Sequence, residues 1–544
     1  MTDQLSRRRL VLATAGTMLS LLLAALDQTI VGTALPRIVG DLQGLDYYSW
    51  VVTAYLVSST AMTPIAGKLG DLFGRKPFMV AGMVGFMAGS ALCGLSQNMG
   101  ELVGFRALQG LFGGFLFASV FSVIGDLFPP ERRGRVQGLF GAVFGLSSIV
   151  GPFAGGYLTD NLSWRWVFYV NIPVGLLALA VVLIGLPYVR SKASWRDIDF
   201  FGAFSLVAFL VPLLVALSIT RDHAWGSPEV VGLLGFAAVM LALFLYIESR
   251  NEHPILPLEL FRNSVFTVSI LVAFLTAFGM FGTIIYVPLL FQGVLGVSAT
   301  NSGTLVTPMM LGLVVASTGA GWVMTRIKYY RFLGTAGILI MMAGLYLLST
   351  ATTESRPIEV TLDIIVVGLG LGVTFPLYLT AVQAGLPRKF LGVASSQVQF
   401  FRTVGGTVGT AVLGTILSHQ LPTKIQDQIT SLNLPPAVRS RFTQSSGSAS
   451  PQSLFDPNHI ARTRASLPAP FQPLFDQVIH ATRVGLANTL HDIFLYSTIT
   501  LFIALIITVF LKEVPLPARG RTPEPVPEEA EADRPVATPV VRAR

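Results

Sequence analysis

Cysteine is all but absent: the chain of 544 residues has one, Cys93, inside an apolar stretch. A disulfide framework and a thiolate metal site are therefore excluded. Charge is scarce as well, at 12% of residues, where soluble proteins carry about 25%. No His, Cys and Glu residues stand at metal-ligand spacing, so no metal is expected. The glycine-rich run Gly368-Leu369-Gly370-Leu371-Gly372 lacks the Lys-Ser/Thr of a phosphate-binding loop, which argues against ATP-driven work. Gly94-Leu95-Ser96 lacks the rest of a nucleophile elbow. The chain offers no enzyme and calls for no cofactor.

Long apolar runs are what it has instead. Hydrophobic residues make up 52% of the chain, and apolar stretches of about 18 to 25 residues recur, each able to cross roughly 30 Å of hydrocarbon. Hydropathy places spans near 10–34, 49–69, 77–96, 101–127, 134–159, 166–188, 199–219, 228–248, 265–294, 302–325, 331–350, 360–384, 389–420 and 487–512. The first of these follows Arg7-Arg8-Arg9, a pattern shared with signal peptides. Its apolar run is too long for one, lacks a clear cleavage site and contains Asp27, so it is retained as a span.

The net charge of +8 is a matter of topology and not of nucleic acid, because the cations gather in short loops on one side. Arg7 to Arg9, Lys68/Arg75/Lys76, Arg132/Arg133/Arg135, Arg190/Lys192/Arg196, Arg326/Lys328/Arg331 and Arg388/Lys389 share a face. The opposite short loops carry little beyond Arg37, Arg165, Arg221 and Arg356. The crowded face is cytoplasmic by the positive-inside rule, and both termini lie there.

The predicted class is an all-α membrane protein of about fourteen spans. It divides into a cytoplasmic N-terminus (1–9), an N-terminal six-helix bundle (10–188), two linker helices (199–248) and a C-terminal six-helix bundle (265–512). The last carries an extracytoplasmic extension (421–486), and a Pro- and Glu-rich tail (513–544) reads as disordered. An internal repeat supports two bundles: Gly67-Lys68-Leu69-Gly70-Asp71-Leu72-Phe73-Gly74-Arg75-Lys76 has a faded copy about 254 residues later, from Gly321 to Lys328. In the extension, residues 443–448 are loop-like, while Ile425/Ile429/Leu432 and Leu474/Val478/Leu486 keep helical spacing. Helices over about 389–432 and 474–511 would measure roughly 66 Å and 57 Å, far beyond the hydrocarbon. Pro435-Pro436 is suited to end the first, and Pro470 and Pro473 to begin the second.

Four motifs stand out: Gly67 to Lys76, Leu26-Asp27-Gln28-Thr29-Ile30-Val31-Gly32-Thr33-Ala34-Leu35-Pro36, Arg106-Ala107-Leu108-Gln109-Gly110 and Gly151-Pro152-Phe153-Ala154-Gly155-Gly156. In these the chain resembles a known family, the major facilitator superfamily, and within it the fourteen-span drug:proton antiporters. Departures are Ser147 where a glycine is usual (the nearest is Gly145), Thr325 where the first half has Asp71, and the long external segment.

The resemblance implies alternating access powered by a proton gradient, and it places Asp27 facing a central cavity. A carboxylate inside an apolar span is costly, which suits proton or cation handling. A helix-end Asp in a wide vestibule is the plainer reading. Arg106 can pair with Asp27 or snorkel outward, and Arg402 poses the same question. Gly67, Asp71, Gly74, Arg75 and Asp126 form the expected gate: Asp71 accepts from a helix N-terminus of the opposite bundle, and Arg75 bridges to Asp126. Their plainer role is to fix topology. Gly145, Gly151, Pro152, Gly155 and Gly156 bend or closely pack the fifth span. Asp27, Tyr55, Gln109, Asn171, Phe375, Tyr378 and Phe400 are the candidate substrate contacts. The expected activity is export of lipophilic or cationic drugs or other amphipathic compounds in exchange for protons. The alternatives are lipid or glycolipid export along the external helices, with an external acceptor protein as a further partner, and a receptor or scaffold without transport.

Overall fold

The computed structural model describes residues 6–42, 47–188, 197–220, 223–252, 254–297, 299–327, 330–387, 390–432, 464–466, 468 and 471–512. The tail at 513–544, Pro435-Pro436, residues 443–448, Pro470 and the loop cations Arg190, Lys192, Arg196, Arg221, Lys328, Arg388 and Lys389 lie outside them.

Every apolar run is a helix, as it must be where no water satisfies backbone polar groups. The helices are α1 (Arg7–Leu42), α2 (Tyr48–Phe73), α3 (Arg75–Leu95), α4 (Met99–Leu127), α5 (Pro130–Asn161), α6 (Trp166–Tyr169), α7 (Asn171–Gly185), α8 (Phe200–Ile219) and α9 (Pro228–Glu248). There follow α10 (Ser264–Leu289), α11 (Ala299–Met324), α12 (Arg331–Ser349), α13 (Pro357–Gly385), α14 (Leu391–Ser431) and α15 (Gln472–Val509). Among the described residues, 13 helical segments are long and apolar enough to cross a membrane, α6 and α7 together counting as one. The fourteenth is α2, whose Ser58, Ser59, Thr60 and Thr63 dilute its hydropathy. The span expected at 166–188 is one apolar run, Trp166–Gly185, in which Val170 keeps helical dihedrals between α6 and α7.

Helices α1–α7 pack as one bundle, with α4 against α2 and α3, and α1 against α5 and α7. Helices α10–α15 form the second, with α13 against α11 and α12, and α14 against α10 and α15. The pair α8/α9 flanks them, α8 resting on α2 and α14. The bundles meet along two lines, α5 on α11 and α2 on α14.

Small residues make the first line close. Gly134, Gly138, Gly141 and Gly145 recur at helical spacing down α5 and face Met324, Ser317 and Val314 of α11. A Cβ on Gly138 would come within 2.5 Å of the Ser317 carbonyl oxygen. The Ser317 hydroxyl donates to the Gly138 carbonyl at 3.1 Å. These contacts occupy the half of the molecule that the loop cations assign to the cytoplasm.

At the opposite end α14 and α15 run on together. They hold 41 and 38 residues, so each is roughly 60 Å long. Ile429, Val478 and Ala481 form a small core between them, with Ile425, Leu432 and Leu474 against it. Lys424 of α14 pairs with Asp492 of α15 at 2.5 Å and donates to the Asn488 carbonyl at 2.8 Å. The two helices form an antiparallel hairpin projecting from the second bundle.

Candidate functional site

Asp27 stands in the middle of α1, between α4 and α7, with no exposed surface. Arg106, on the outer half of α4, reaches it through Nη1 at 2.7 Å. Gln109, one turn further along α4, donates to the other carboxylate oxygen at 2.9 Å and accepts from Arg106 at 2.8 Å. Asn171, at the head of α7, donates to the same oxygen at 2.8 Å, and its amide also donates to Ser90 at 3.0 Å. Arg106 further donates to the Val51 carbonyl at 3.2 Å, and its guanidinium lies 4.4 Å from the Tyr55 ring centre. Cys93 donates weakly to Gln109 at 3.6 Å.

Charge balance explains why this cluster survives burial. One guanidinium offsets one carboxylate, and Asp27 receives three side-chain donors. Deleting one partner of such a buried pair typically costs about 3–5 kcal/mol, because the other is left charged and unpaired. Between its two readings, Arg106 therefore takes the paired one and does not snorkel. Asp27, Gln109 and Asn171 were expected at a central cavity; in this arrangement each is 0% exposed and enclosed within the first bundle.

The second group lies at the bundle junction. Asp71, at the end of α2, accepts from the backbone N–H groups of Gly392 and Val393 at 3.1 and 2.8 Å. These are the first turn of α14, whose unpaired N–H groups and positive dipole end favour an anion. Arg75 pairs with Asp71 and, at 3.0 Å, with Asp126 at the end of α4. It also donates to the Gly67 carbonyl at 3.3 Å. Two glycines are required here. Gly67 lets α2 sit against Ser396, where a Cβ would collide with that side chain. Gly74 turns the chain from α2 into α3 at φ 93°, a left-handed value that disfavours other residues. The faded copy has no carboxylate at the matching place, and Arg326 instead covers the Trp322 ring at 3.7 Å.

A polar network that sequence reasoning missed completes the junction. Arg133, grouped with the topology-setting cations, is 4% exposed and donates to the carbonyls of Gln383 and Gly125, each at 2.8 Å. Gln137 donates to the Gln383 side chain at 2.8 Å, and Thr380 donates to Gln137. Gln383 donates to Ser395 at 2.9 Å and to the Phe121 carbonyl at 3.1 Å. The available signal was the pair of glutamines inside apolar spans.

The remaining candidates divide. Phe375 lies between the bundles, its ring 6.2 Å from that of Phe144 and 3.9 Å from the Arg402 guanidinium. Arg402 is 8% exposed, and among the described residues no carboxylate pairs with it. Tyr378, by contrast, is buried inside the second bundle, its hydroxyl 3.0 Å from that of Thr508. Phe400 faces the linker helices with Leu206, Leu210 and Phe244. The structure brings neither to the Phe375 group. On α5, Gly151 and Gly155 pack on Thr29, Thr33 and Ile30 of α1, whereas Gly145 meets α11 and Gly156 has nothing within 4 Å. Thr29 donates to the Ser147 carbonyl at 3.0 Å, stitching α1 to α5 just before Pro152.

Known proteins resemble the whole arrangement. Residues 17–410 match the family model described as Major Facilitator Superfamily. The chain is 38% identical over 543 residues to the multidrug transporter protein MdtP of Bacillus subtilis, covering 98% of both chains. It is 35% identical to multidrug resistance protein 3 of the same organism, over 91% of this chain and 94% of that one. The solved structure of the proton:xylose symporter XylE aligns with a TM-score of 0.59 at 12% identity, covering 94% of this chain and 98% of that one. The human organic anion transporter TETRAN aligns with a TM-score of 0.56 at 15% identity, over 92% and 100%. At such identities these two likenesses concern the fold.

Proposed function

From the chain's membership of the Major Facilitator Superfamily, we propose that it exports small lipophilic or cationic compounds from the cytoplasm in exchange for protons. Relatives named as multidrug transporters support efflux as the activity. The observation that carries proton exchange is the Asp27–Arg106 pair, a titratable group held inside the membrane-spanning bundle at 2.7 Å from its counter-charge. A proton arriving on Asp27 removes an acceptor from Arg106, Gln109 or Asn171, and frees the guanidinium to move toward Val51 and Tyr55 on α2.

Two helices then carry the message. α4 holds Arg106 near one end and Asp126 near the other, about 30 Å apart at helical rise. α2 holds Tyr55 and Asp71, about 24 Å apart. A shift of either helix at the proton site therefore reaches the Asp71–Arg75–Asp126 latch as a rigid-body movement. With the latch closed the transporter is shut toward the cytoplasm. Breaking it lets the bundles part there and admits substrate.

The test is purified protein in proteoliposomes with an imposed pH gradient and a panel of dyes. Asp27→Asn keeps the size of the side chain and removes its titratable charge, leaving Arg106 without its counter-charge. It is expected to abolish gradient-driven dye movement. Because the unpaired guanidinium costs about 3–5 kcal/mol, helical content and monodisperse elution are measured alongside, and only folded protein is scored. Full gradient-driven transport by that variant would refute the assignment.

Arg402 favours a second reading. A buried cation between the bundles that donates only to the Gln399 side chain and the Phe375 carbonyl, with no carboxylate beside it among the described residues, suits a substrate carrying an anionic or zwitterionic group, such as a phospholipid or glycolipid. The α14–α15 hairpin would then guide the lipid outward or dock an acceptor. Trimming residues 426–480 to a short linker separates the two. Loss of lipid movement with dye export intact would select the lipid reading.

A further inference from the structure

Beside the α2–α14 line lies a cavity that the transport reading does not use. It has a volume of about 270 Å³, is partly open, and is lined by α2, α8, α9 and α14 together with Leu256 and Phe261 of the segment after α9. Pro64, Leu210, Leu241, Phe244 and Phe400 are among its apolar walls. Gln397 is the one polar residue of the lining; its side chain is 1% exposed and its Oε1 has no hydrogen-bond partner. Buried acceptors are rarely left unbonded, because desolvation without a partner is costly.

These features select the occupant. A buried water needs about two to four polar partners, and here there is one. An acyl chain would satisfy the walls and leave the amide oxygen bare. An apolar cavity of about 150 Å³ already admits benzene, so this one has room for a fused two-ring aromatic. We propose that the cavity is a binding site for a small, largely apolar aromatic molecule carrying one hydroxyl or N–H donor, which it gives to Gln397. The site is regulatory by position. Its walls come from both bundles, and Gln397 adjoins Ser396, which packs on Gly67 of the latch. Parting α2 from α14 dismantles it, so an occupant favours the latched arrangement.

The test is binding, with no gradient and no transport. Since the proposed export path would also take a lipophilic naphthol, the readout is the part of the binding that substitutions in this cavity change, which failure of the efflux reading leaves untouched. Full-length protein in lipid nanodiscs is equilibrated with radiolabelled 2-naphthol, which donates, or 2-fluoronaphthalene, which is of nearly the same shape and does not. One saturable site per chain is expected. Gln397→Leu should lower the naphthol-to-fluoronaphthalene affinity ratio roughly 5-fold, the size of one hydrogen bond. Leu241→Trp, which fills the cavity from α9, should remove that site for both ligands. The proposal is overturned if the wild-type protein shows no saturable site, if the ratio is unchanged in Gln397→Leu, or if folded Leu241→Trp binds as many naphthols per chain as the wild type. Should Leu241→Trp not fold, the ratio in Gln397→Leu decides alone.

Discussion

Replacing Asp71 with Asn tests how much of the closed state rests on one carboxylate. The native side chain takes two backbone N–H groups of α14, at 3.1 and 2.8 Å, and the charge of Arg75. Asn keeps one acceptor and turns an amide NH₂ toward groups that are themselves donors. The lost interaction of an anion with a partly buried helix end is worth up to about 2 kcal/mol. The donor left facing a donor costs about 1–3 kcal/mol more. A combined shift of about 3 kcal/mol changes the closed-to-open ratio by roughly 100-fold. Spin labels on Arg132→Cys and Arg326→Cys, one per bundle at the latch end, read this directly, since both positions are exposed and the native Cys93 is buried. Asp71→Asn should add a longer-distance population to the distribution. Asp126→Asn should do so more weakly, since Asp126 makes one contact with Arg75 and its side chain is 35% exposed. An unchanged distribution in Asp71→Asn would refute the latch and leave the carboxylate with the topology-setting role alone.

Three further outcomes follow from the packing. Gly138→Ala places a methyl group within 2.5 Å of the Ser317 carbonyl oxygen, so it should hold the bundles apart and suppress transport, read by the same label pair and by dye efflux. Gly156→Ala, with nothing within 4 Å, should leave both near wild type although it lies on the same helix. Gln383→Leu strands Gln137 and removes the acceptor it donates to, and should lower thermal stability by about 1–3 kcal/mol, checked by unfolding in detergent with transport measured alongside.

How far the sequence carries depends on whether a property is local. Span positions were legible because the bilayer imposes length and apolarity on each run separately: a helix expected over 389–432 is Leu391–Ser431, and one over 474–511 is Gln472–Val509. The partners of Asp27 and Asp71 were legible because an intramembrane charge and a glycine-bracketed loop each demand a counterpart. Facing was not. Tyr378 and Phe400 sit in spans that are apolar all round, where no stripe tells bundle interior from interface. The Arg133–Gln137–Gln383 network joins residues about 250 positions apart, and nothing local in either segment names the other. Asn171 reaches Asp27 from 144 positions away, which hydropathy does not disclose.

The α14–α15 hairpin has a mechanical consequence. Both of its helices belong to the second bundle and are clasped by Ile429, Val478 and Ala481, so it turns with that bundle as a stiff pointer. A rotation on the order of 15°, acting on an arm of about 45 Å from the membrane centre, would swing its tip by roughly 12 Å. The same rotation moves the latch, about 15 Å from that centre, by about 4 Å, so the tip travels roughly three times as far. Whatever surrounds the tip, a crowded surface layer or a bound protein, would push back on the same lever and bias the angle between the bundles from a distance.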